Sequence, residues 1–398
     1  MSPIKLVSNQ ISPNFNFKLA LSAAGRVFDF SSKEVDFSEF FGTSNYVLTN
    51  AARTALGEII DVLESENVEK VVAIPAFICA VVATPFLTKG WKVKWIDTDE
   101  NGVISVDDFR NQTNNVGVLI APHIFGQRAP ITELAKVCRE KNVFLIEDCA
   151  HFLNTENFEA NAKIFSFGRE KVASCVSGGA LLWAKDSKYA EKFKAIKLRN
   201  PPLSWTIPHL LQPLILTVSA SFWHFGGRFL AAFFSKIKFL PRAVTKTEKD
   251  GQEDFLKAKM PIRMQKVLRT HFLYMNKKCV QENNAHAKQL SSAWEMTVSK
   301  VFPSAKASIP ENFFRVILQF DDNQMRDEII KKSEKNGFSF REWEGVPISP
   351  AGVDLQKFQY SKRQCPNAER FARTYLTLPT NIRTDLRDVQ NFERIFKK

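Results

Sequence analysis

Phe165-Ser166-Phe167-Gly168-Arg169-Glu170-Lys171 is a strand-like run that breaks into a loop, and Gly178-Gly179-Ala180 follows seven residues after the lysine. Upstream, Val143-Phe144-Leu145-Ile146-Glu147-Asp148-Cys149-Ala150-His151 is an apolar strand that ends in a carboxylate. A lysine just past one strand and an aspartate at the tip of another are the minimal kit for pyridoxal phosphate chemistry. The lysine amine can form an imine with the cofactor aldehyde. The aspartate can keep the pyridine nitrogen protonated, so that the ring draws electrons.

A chain with 55 Lys plus Arg has many solvated lysines, and the pair alone also describes a surface lysine in a turn. Three further features favour the chemical reading. Ser166, five residues before the lysine, can donate to a phosphate, and His151, three residues after the aspartate, can reach a cofactor ring. Asn50-Ala51-Ala52-Arg53-Thr54-Ala55-Leu56 opens a helix with small residues and a hydroxyl. A helix N-terminus with free amides is a ready phosphate site.

The surrounding pattern is strand, helix, strand, helix. Short apolar runs at Val71 to Pro75, Val93 to Asp97, Val116 to Ala121, Val143 to Asp148, Ile164 to Phe167 and Ala180 to Ala184 are expected as strands. Such runs with intervening helices imply an α/β fold with a mainly parallel sheet covered on both faces. Ligands then bind beyond the strand carboxyl ends, where Pro75, His123, Asp148 and the Ser166 to Lys171 loop all fall. After Met264 the pattern is helical to about Trp294. Phe313 to Phe320 as a strand and Asp322 to Asn336 as a helix then build a small C-terminal α+β domain. The expected division is an N-terminal segment 1–45, a large cofactor domain 46–285 with an insertion at about 200–247, and a small domain 286–398.

On these residues the chain resembles the DegT/DnrJ/EryC1/StrS family of pyridoxal-phosphate-dependent sugar aminotransferases, of fold type I. The matching segments, in order, are Asn50 to Leu56, Ala73-Ile74-Pro75-Ala76-Phe77, Trp95-Ile96-Asp97-Thr98-Asp99, His123-Ile124-Phe125-Gly126-Gln127, Glu147 to His151 and Phe165 to Ala180. Cys365-Pro366-Asn367-Ala368-Glu369 and Leu378-Pro379-Thr380 resemble a C-terminal signature. The resemblance covers roughly residues 40–195 and 260–398, and its order and spacing are more specific than any one piece.

The resemblance implies that Lys171 carries the cofactor and moves the proton, and that Asp148 pairs with the pyridinium nitrogen. It implies that His151 lies near the ring hydroxyl. Ser166 and the amides of Ala52 and Arg53, with Thr54, would hold the phosphate. Three departures stand out. The family's ring-stacking aromatic, four residues after the proline, is replaced by Cys79, which leaves Phe77 or the thiol to serve, or the ring face less covered. The segment that often supplies a neighbouring subunit's Asn reads Met260-Pro261-Ile262-Arg263-Met264, where Arg263 is the substitute on offer. Ala52-Arg53 stands where Gly-Thr is usual.

At 398 residues and 44% hydrophobic, the chain can bury a large core. Met1 to Phe17 is polar, without the apolar stretch of a secretory leader, so a cytoplasmic location is expected. The six cysteines, at 79, 138, 149, 175, 279 and 365, contain no C-x-x-C pair, so neither a metal site nor a disulfide framework is expected.

Residues 192–247 carry nine Lys/Arg and no Asp or Glu, whereas the rest of the chain has 46 Lys/Arg (55 less nine) against 42 acids. Within this segment Leu203 to Gly227 is free of charge and holds Trp205, Phe222, Trp223 and Phe225. A membrane span needs about 20 apolar residues, so length alone permits one. Pro201, Pro202, Pro208, Pro213, Gly226 and Gly227 are expected to break the run. Two readings stay open: a peripheral contact with an anionic membrane, at the inner surface, or a hydrophobic hairpin in a dimer interface. No nucleic-acid-reading motif accompanies the basic charge.

The resemblance further implies a homodimer that transfers an amino group from an amino acid, glutamate above all, to a keto sugar nucleotide, in surface polysaccharide or related biosynthesis. Family dehydratases replace the lysine that this chain keeps. Another reaction on the same scaffold, such as dehydration, and a catalytically silent membrane-associated scaffold are the alternatives.

Overall fold

The computed structural model describes residues 5–11, 13–156, 158–278, 285–340 and 343–397; Cys279 lies outside them. The central sheet has seven strands: β1 (Tyr46–Thr49), β2 (Val71–Pro75), β3 (Lys92–Ile96), β4 (Val118–Pro122), β5 (Phe144–Asp148), β6 (Ala162–Ser166) and β7 (Gly179–Trp183). Their order is β1-β7-β6-β5-β4-β2-β3. From β6 to β3 all neighbours are parallel. Strand β7 runs antiparallel to both β6 and β1.

The apolar runs become strands because both faces of the sheet are covered. Val72, Ile74, Val118 and Ile120 enter one apolar core, and Val71, Ala73, Leu119 and Ala121 enter another. This alternation is the two-residue period of a strand. After the N-terminal helix α1 (Phe17–Gly25), helix α2 (Ala52–Ser65) buries Leu56, Ile59, Ile60 and Leu63 on the first face, and α3 (Ile131–Lys141) buries Leu134, Val137 and Cys138 on the second.

All six expected strands exist within two residues of their expected starts and ends. The one at the lysine segment begins at Ala162 rather than Ile164 and stops at Ser166. Tyr46–Thr49 was not expected as a strand; it is an edge strand held by its pairing with β7.

The C-terminal unit has an antiparallel sheet of β8 (Lys306–Ser308), β9 (Arg315–Gln319) and β10 (Tyr375–Pro379). Helices Ala285–Val301, Asn323–Glu334 and Leu386–Phe396 enclose its core of Trp294, Phe338, Phe340 and Phe392. Asp322 caps the second of these by accepting from the Met325 amide at 2.9 Å. The N-terminal segment is sewn into the same unit. Val7–Ser8 pairs with Phe338–Ser339, and Lys5 bridges Asp388 at 2.8 Å.

The prolines of the basic segment do not break it. Leu203–Ser221 is one helix with Pro208 and Pro213 inside it. Each proline removes one backbone hydrogen bond, but the helix lies along Phe17–Gly25 and buries His209, Leu210, Leu216 and Ala220. That burial offsets the lost bonds. A tight turn at Gly226 leads to a second helix, Gly227–Lys236. No helix among the described residues is long and apolar enough to cross a membrane.

Candidate active site

Every loop singled out in the sequence leaves the same edge of the sheet. Strands β2, β4, β5 and β6 are parallel, so Pro75, Pro122, Asp148 and Ser166 end together. Strand β1, antiparallel to β7, points the same way and delivers the start of α2.

Lys171 sits in the loop between β6 and β7. The neck of that loop is closed by Phe167 N–H donating to Gly178 O at 2.8 Å and Cys175 N–H donating to Phe167 O at 3.0 Å. The Asn14 side-chain amide donates to the Lys171 carbonyl, so the N-terminal segment straps the loop. Nζ of Lys171 is 2.9 Å from Nε2 of His151. Nδ1 of His151 accepts from the Phe125 amide at 3.2 Å. The tautomer follows: with Nδ1 accepting, the proton of a neutral ring is on Nε2. Nε2–H then donates, and the lysine must accept through a free lone pair. A neutral amine is what this geometry requires. Burial acts in the same direction, pushing Lys171 below the usual lysine value, and it holds His151 well below the usual imidazole value, with the Arg315 charge adding to the effect.

Phe125 is held at φ 51° and Gly126 at φ 90°. A Cβ on Gly126 would lie 2.1 Å from the Asn312 side chain. That side chain in turn donates to the His151 carbonyl at 2.8 Å. The His123 to Gln127 loop therefore serves to aim His151.

Asp148 is 5% exposed and accepts from the Ala150 amide at 2.9 Å. Burial raises its carboxyl, while the Ala150 amide opposes the rise. A cation facing it would restore the ionised form. On the other side of the strand, Glu147 is buried with Lys163 at 3.2 Å and His123 at 2.8 Å. Burial alone would raise Glu147; the His123 hydrogen bond and the Lys163 charge outweigh it and leave it lowered. His123, Glu147 and Cys149 offer donor atoms within 4.8 Å of one another, the spacing of a metal site. The Lys163 ammonium already supplies the cation there.

The phosphate end is built from α2, β6 and β7. Helix α2 starts at Ala52 after Ala51, which makes no side-chain cap. A Cβ on Gly179 would lie 2.5 Å from the Ala52 nitrogen, so only glycine lets the helix start this close to the strand pair. Gly179 is the register partner of Ser166. The Ser166 hydroxyl and the Lys171 side chain flank Gly168, at 3.7 and 3.6 Å from the place of a Cβ there. An uncapped helix end beside a half-buried serine and a lysine fits a phosphate next to an aldehyde.

The expectations for Thr54 and Phe77 are corrected, and that for the Arg53 amide is unchanged. The Thr54 hydroxyl is fully buried and donates to Asn50 Oδ1 at 2.7 Å, so it is spent in the core. The Arg53 guanidinium pairs with buried Glu248, so Arg53 offers its amide alone at the helix start. Phe77 is 0% exposed within a cluster of Phe125, Trp343, Phe371 and Tyr375, and no cofactor face can reach it. Half-buried Cys79 remains at the site. Burial raises its thiol, so the thiol stays protonated. Arg263 donates to the Asp29 carbonyl at 2.7 Å and lies over Phe30, at the outer surface.

Arg315 and Asn312 were missed. Arg315 opens strand β9, is 4% exposed, and lies over the rings of Phe125 and Phe314. It donates to the Glu170 carbonyl at 3.4 Å and acts on both His151 and Lys171. The available signal was a lone arginine heading the apolar run Val316-Ile317-Leu318. It borders a cleft of about 610 Å³, counting its mouth, with Asn14, His271, Asn312, Thr380 and Asn381.

Residues 29–202 match the model of the DegT/DnrJ/EryC1/StrS aminotransferase family. A UDP-4-amino-4,6-dideoxy-N-acetyl-beta-L-altrosamine transaminase of Campylobacter jejuni is 24% identical over 169 residues, 40% of this chain and 44% of the relative. A cysteine desulfurase of Clostridium botulinum is 31% identical over 104 residues, 24% of this chain and 26% of the relative. The chain thus spans from about a quarter to under half of the length of these curated relatives. A putative sugar aminotransferase of Streptococcus pneumoniae, solved in its PLP form, has the same fold over 97% of this chain and 98% of its own, with TM-score 0.71 and 15% identity. Residues 29–202 thus resemble the DegT/DnrJ/EryC1/StrS aminotransferase family, and the chain as a whole has the fold of the pneumococcal sugar aminotransferase.

Proposed function

We propose that this protein moves an amino group from an amino acid, glutamate in the first instance, to a keto sugar carried on a nucleotide. The carrying observation is the Lys171–His151 contact, which needs a neutral amine and so leaves a nucleophile at the site. When bound, pyridoxal phosphate supplies an aldehyde and an electron-withdrawing ring. Lys171 would hold it and carry protons between donor and acceptor carbons. Asp148 would face the ring nitrogen, and His151 the ring hydroxyl. Ser166 and the Ala52 and Arg53 amides would take the phosphate. Arg315 would take a donor carboxylate, for which a planar guanidinium is suited.

The adjoining cleft presents amides, a hydroxyl and an imidazole, groups that pair with sugar hydroxyls. The Campylobacter relative, an amino-sugar transaminase by name, supports the same class of acceptor, and surface polysaccharide is the destination we assign. A second copy would cover the apolar face at Phe17, Phe28 and Phe30, which are 56%, 78% and 84% exposed.

The test has two stages. Protein purified with pyridoxal phosphate is expected to absorb in the near-visible, and Lys171→Ala to lose both that band and its borohydride trapping. Glutamate with a panel of nucleotide-linked keto sugars is then expected to yield 2-oxoglutarate and an amino sugar. Turnover by Lys171→Ala, or a full band without transfer to any keto sugar, would overturn the proposal.

A further inference from the structure

The helical hairpin of residues 203–236 leaves one side bare. Phe222, Phe225, Phe229, Phe233 and Ile237 are 55%, 73%, 65%, 58% and 53% exposed. They recur every three or four residues, so a single ridge runs from the turn along the second helix. The first helix does not share it, because its buried side lies on Phe17–Gly25. Beside the ridge, Arg228, Lys236, Lys238 and Arg242 are exposed. The ion pairs of residues 192–247 belong to Lys192 and Lys194. Among the described residues the four cations near the ridge form none, and Arg228 lies over its neighbour Phe229, 4.7 Å from the ring centroid.

We propose that this ridge docks the protein on an anionic phospholipid surface. A protein partner could bury the phenylalanines, but it would need many acids to match cations that have no acid in their own segment. An anionic bilayer supplies both halves at once: hydrocarbon for the rings and headgroup charge for the unpaired cations. Phenylalanines and cations share one short helix and its flanks, as an amphipathic element lying in the interface requires. The active site is built from other residues, so the inference stands apart from the aminotransferase reading.

The test uses the full-length protein and two vesicle types, phosphatidylcholine alone and phosphatidylcholine mixed with phosphatidylglycerol. Co-sedimentation is expected with the mixed vesicles only, and to weaken as salt rises. The variant Arg228→Gln/Lys236→Gln/Lys238→Gln is expected to lose on the order of a hundredfold in partitioning, from three surface cations. Phe229→Ser/Phe233→Ser is expected to weaken binding while its elution volume on a sizing column stays that of the parent. No sedimentation with mixed vesicles at low salt would overturn the proposal, and so would equal binding to both lipids. A Phe229→Ser/Phe233→Ser protein that falls to a smaller species would overturn it too, by making the ridge a subunit contact. The wild-type lipid and salt comparison decides the matter even if a variant fails to fold.

Discussion

Nε2 of His151 stands 2.9 Å from Nζ of Lys171, and Nδ1 of the same ring is occupied by the Phe125 amide. The amide fixes the tautomer, and the tautomer fixes the charge of the lysine. His151→Leu removes the donor to the amine. Lys171 is then expected to bind its proton more tightly and to react with added pyridoxal phosphate about fivefold to tenfold more slowly near neutral pH, the worth of one hydrogen bond. His151→Gln, which keeps a donor, is expected to recover most of the rate. Stopped-flow growth of the near-visible band reads both variants.

Asp148 carries a carboxyl raised by burial, and a protonated ring nitrogen facing it would be the partner that keeps it ionised. Asp148→Asn keeps the shape and removes the charge. Transfer is expected to slow by about a hundredfold or more, the scale of one preorganised electrostatic contact. Single-turnover kinetics with glutamate measure it, and a near-normal rate would show that Asp148 does not serve the ring.

Gly179 permits α2 to begin against the strand that pairs with Ser166. Its obstacle is backbone, which cannot swing aside. Gly179→Ala is expected to destabilise the fold by about 1–3 kcal/mol and to loosen the cofactor more than the surface change Gly25→Ala, which meets nothing within 4 Å, would. Urea unfolding and cofactor titration separate the two effects.

Arg315 is held between Phe125 and Phe314 with its head near Lys171. Arg315→Met keeps the apolar contacts and removes the charge. The KM for the amino-acid donor is expected to rise roughly tenfold to a hundredfold, as for a charged hydrogen bond, with the cofactor band unchanged. Unaltered donor KM would reassign Arg315 to a structural role.

His209 and His271 are buried, and burial lowers each to about 4. Below the ordinary imidazole value near 6.5 the unfolded chain binds protons that the folded chain refuses. Stability therefore rises with pH through this window and is lost as pH falls from about 6.5 toward 4. Each histidine is expected to contribute about 2 kcal/mol of that loss by about pH 5. Replacing either with Gln should flatten the dependence of the urea midpoint on pH, whatever it does to stability at neutral pH.

The strands that carry Asp148 and Ser166 were legible because burial on both faces demands unbroken apolar runs, and such runs are visible without a structure. The lysine loop was legible because chemistry demanded a lysine beyond a strand end. The edge strand Tyr46–Thr49 was not, since its two innermost residues alone are fully buried and its pairing comes from a distant segment. Pro208 and Pro213 misled, because local propensity opposes a helix that a neighbouring helix then stabilises.

By itself the sequence determined the parallel sheet and the placement of Lys171, Asp148, His151 and Ser166 at or beyond its strand carboxyl ends. These follow from local periodicity and from side-chain chemistry. Tertiary structure alone decided that Thr54 and Phe77 turn into the core, that Arg53 is claimed by Glu248, and that Arg315 arrives from a strand 144 residues beyond Lys171. The physical reason is that a side chain's partners are set by which distant backbones the fold brings alongside it, and no short-range pattern in the chain records them.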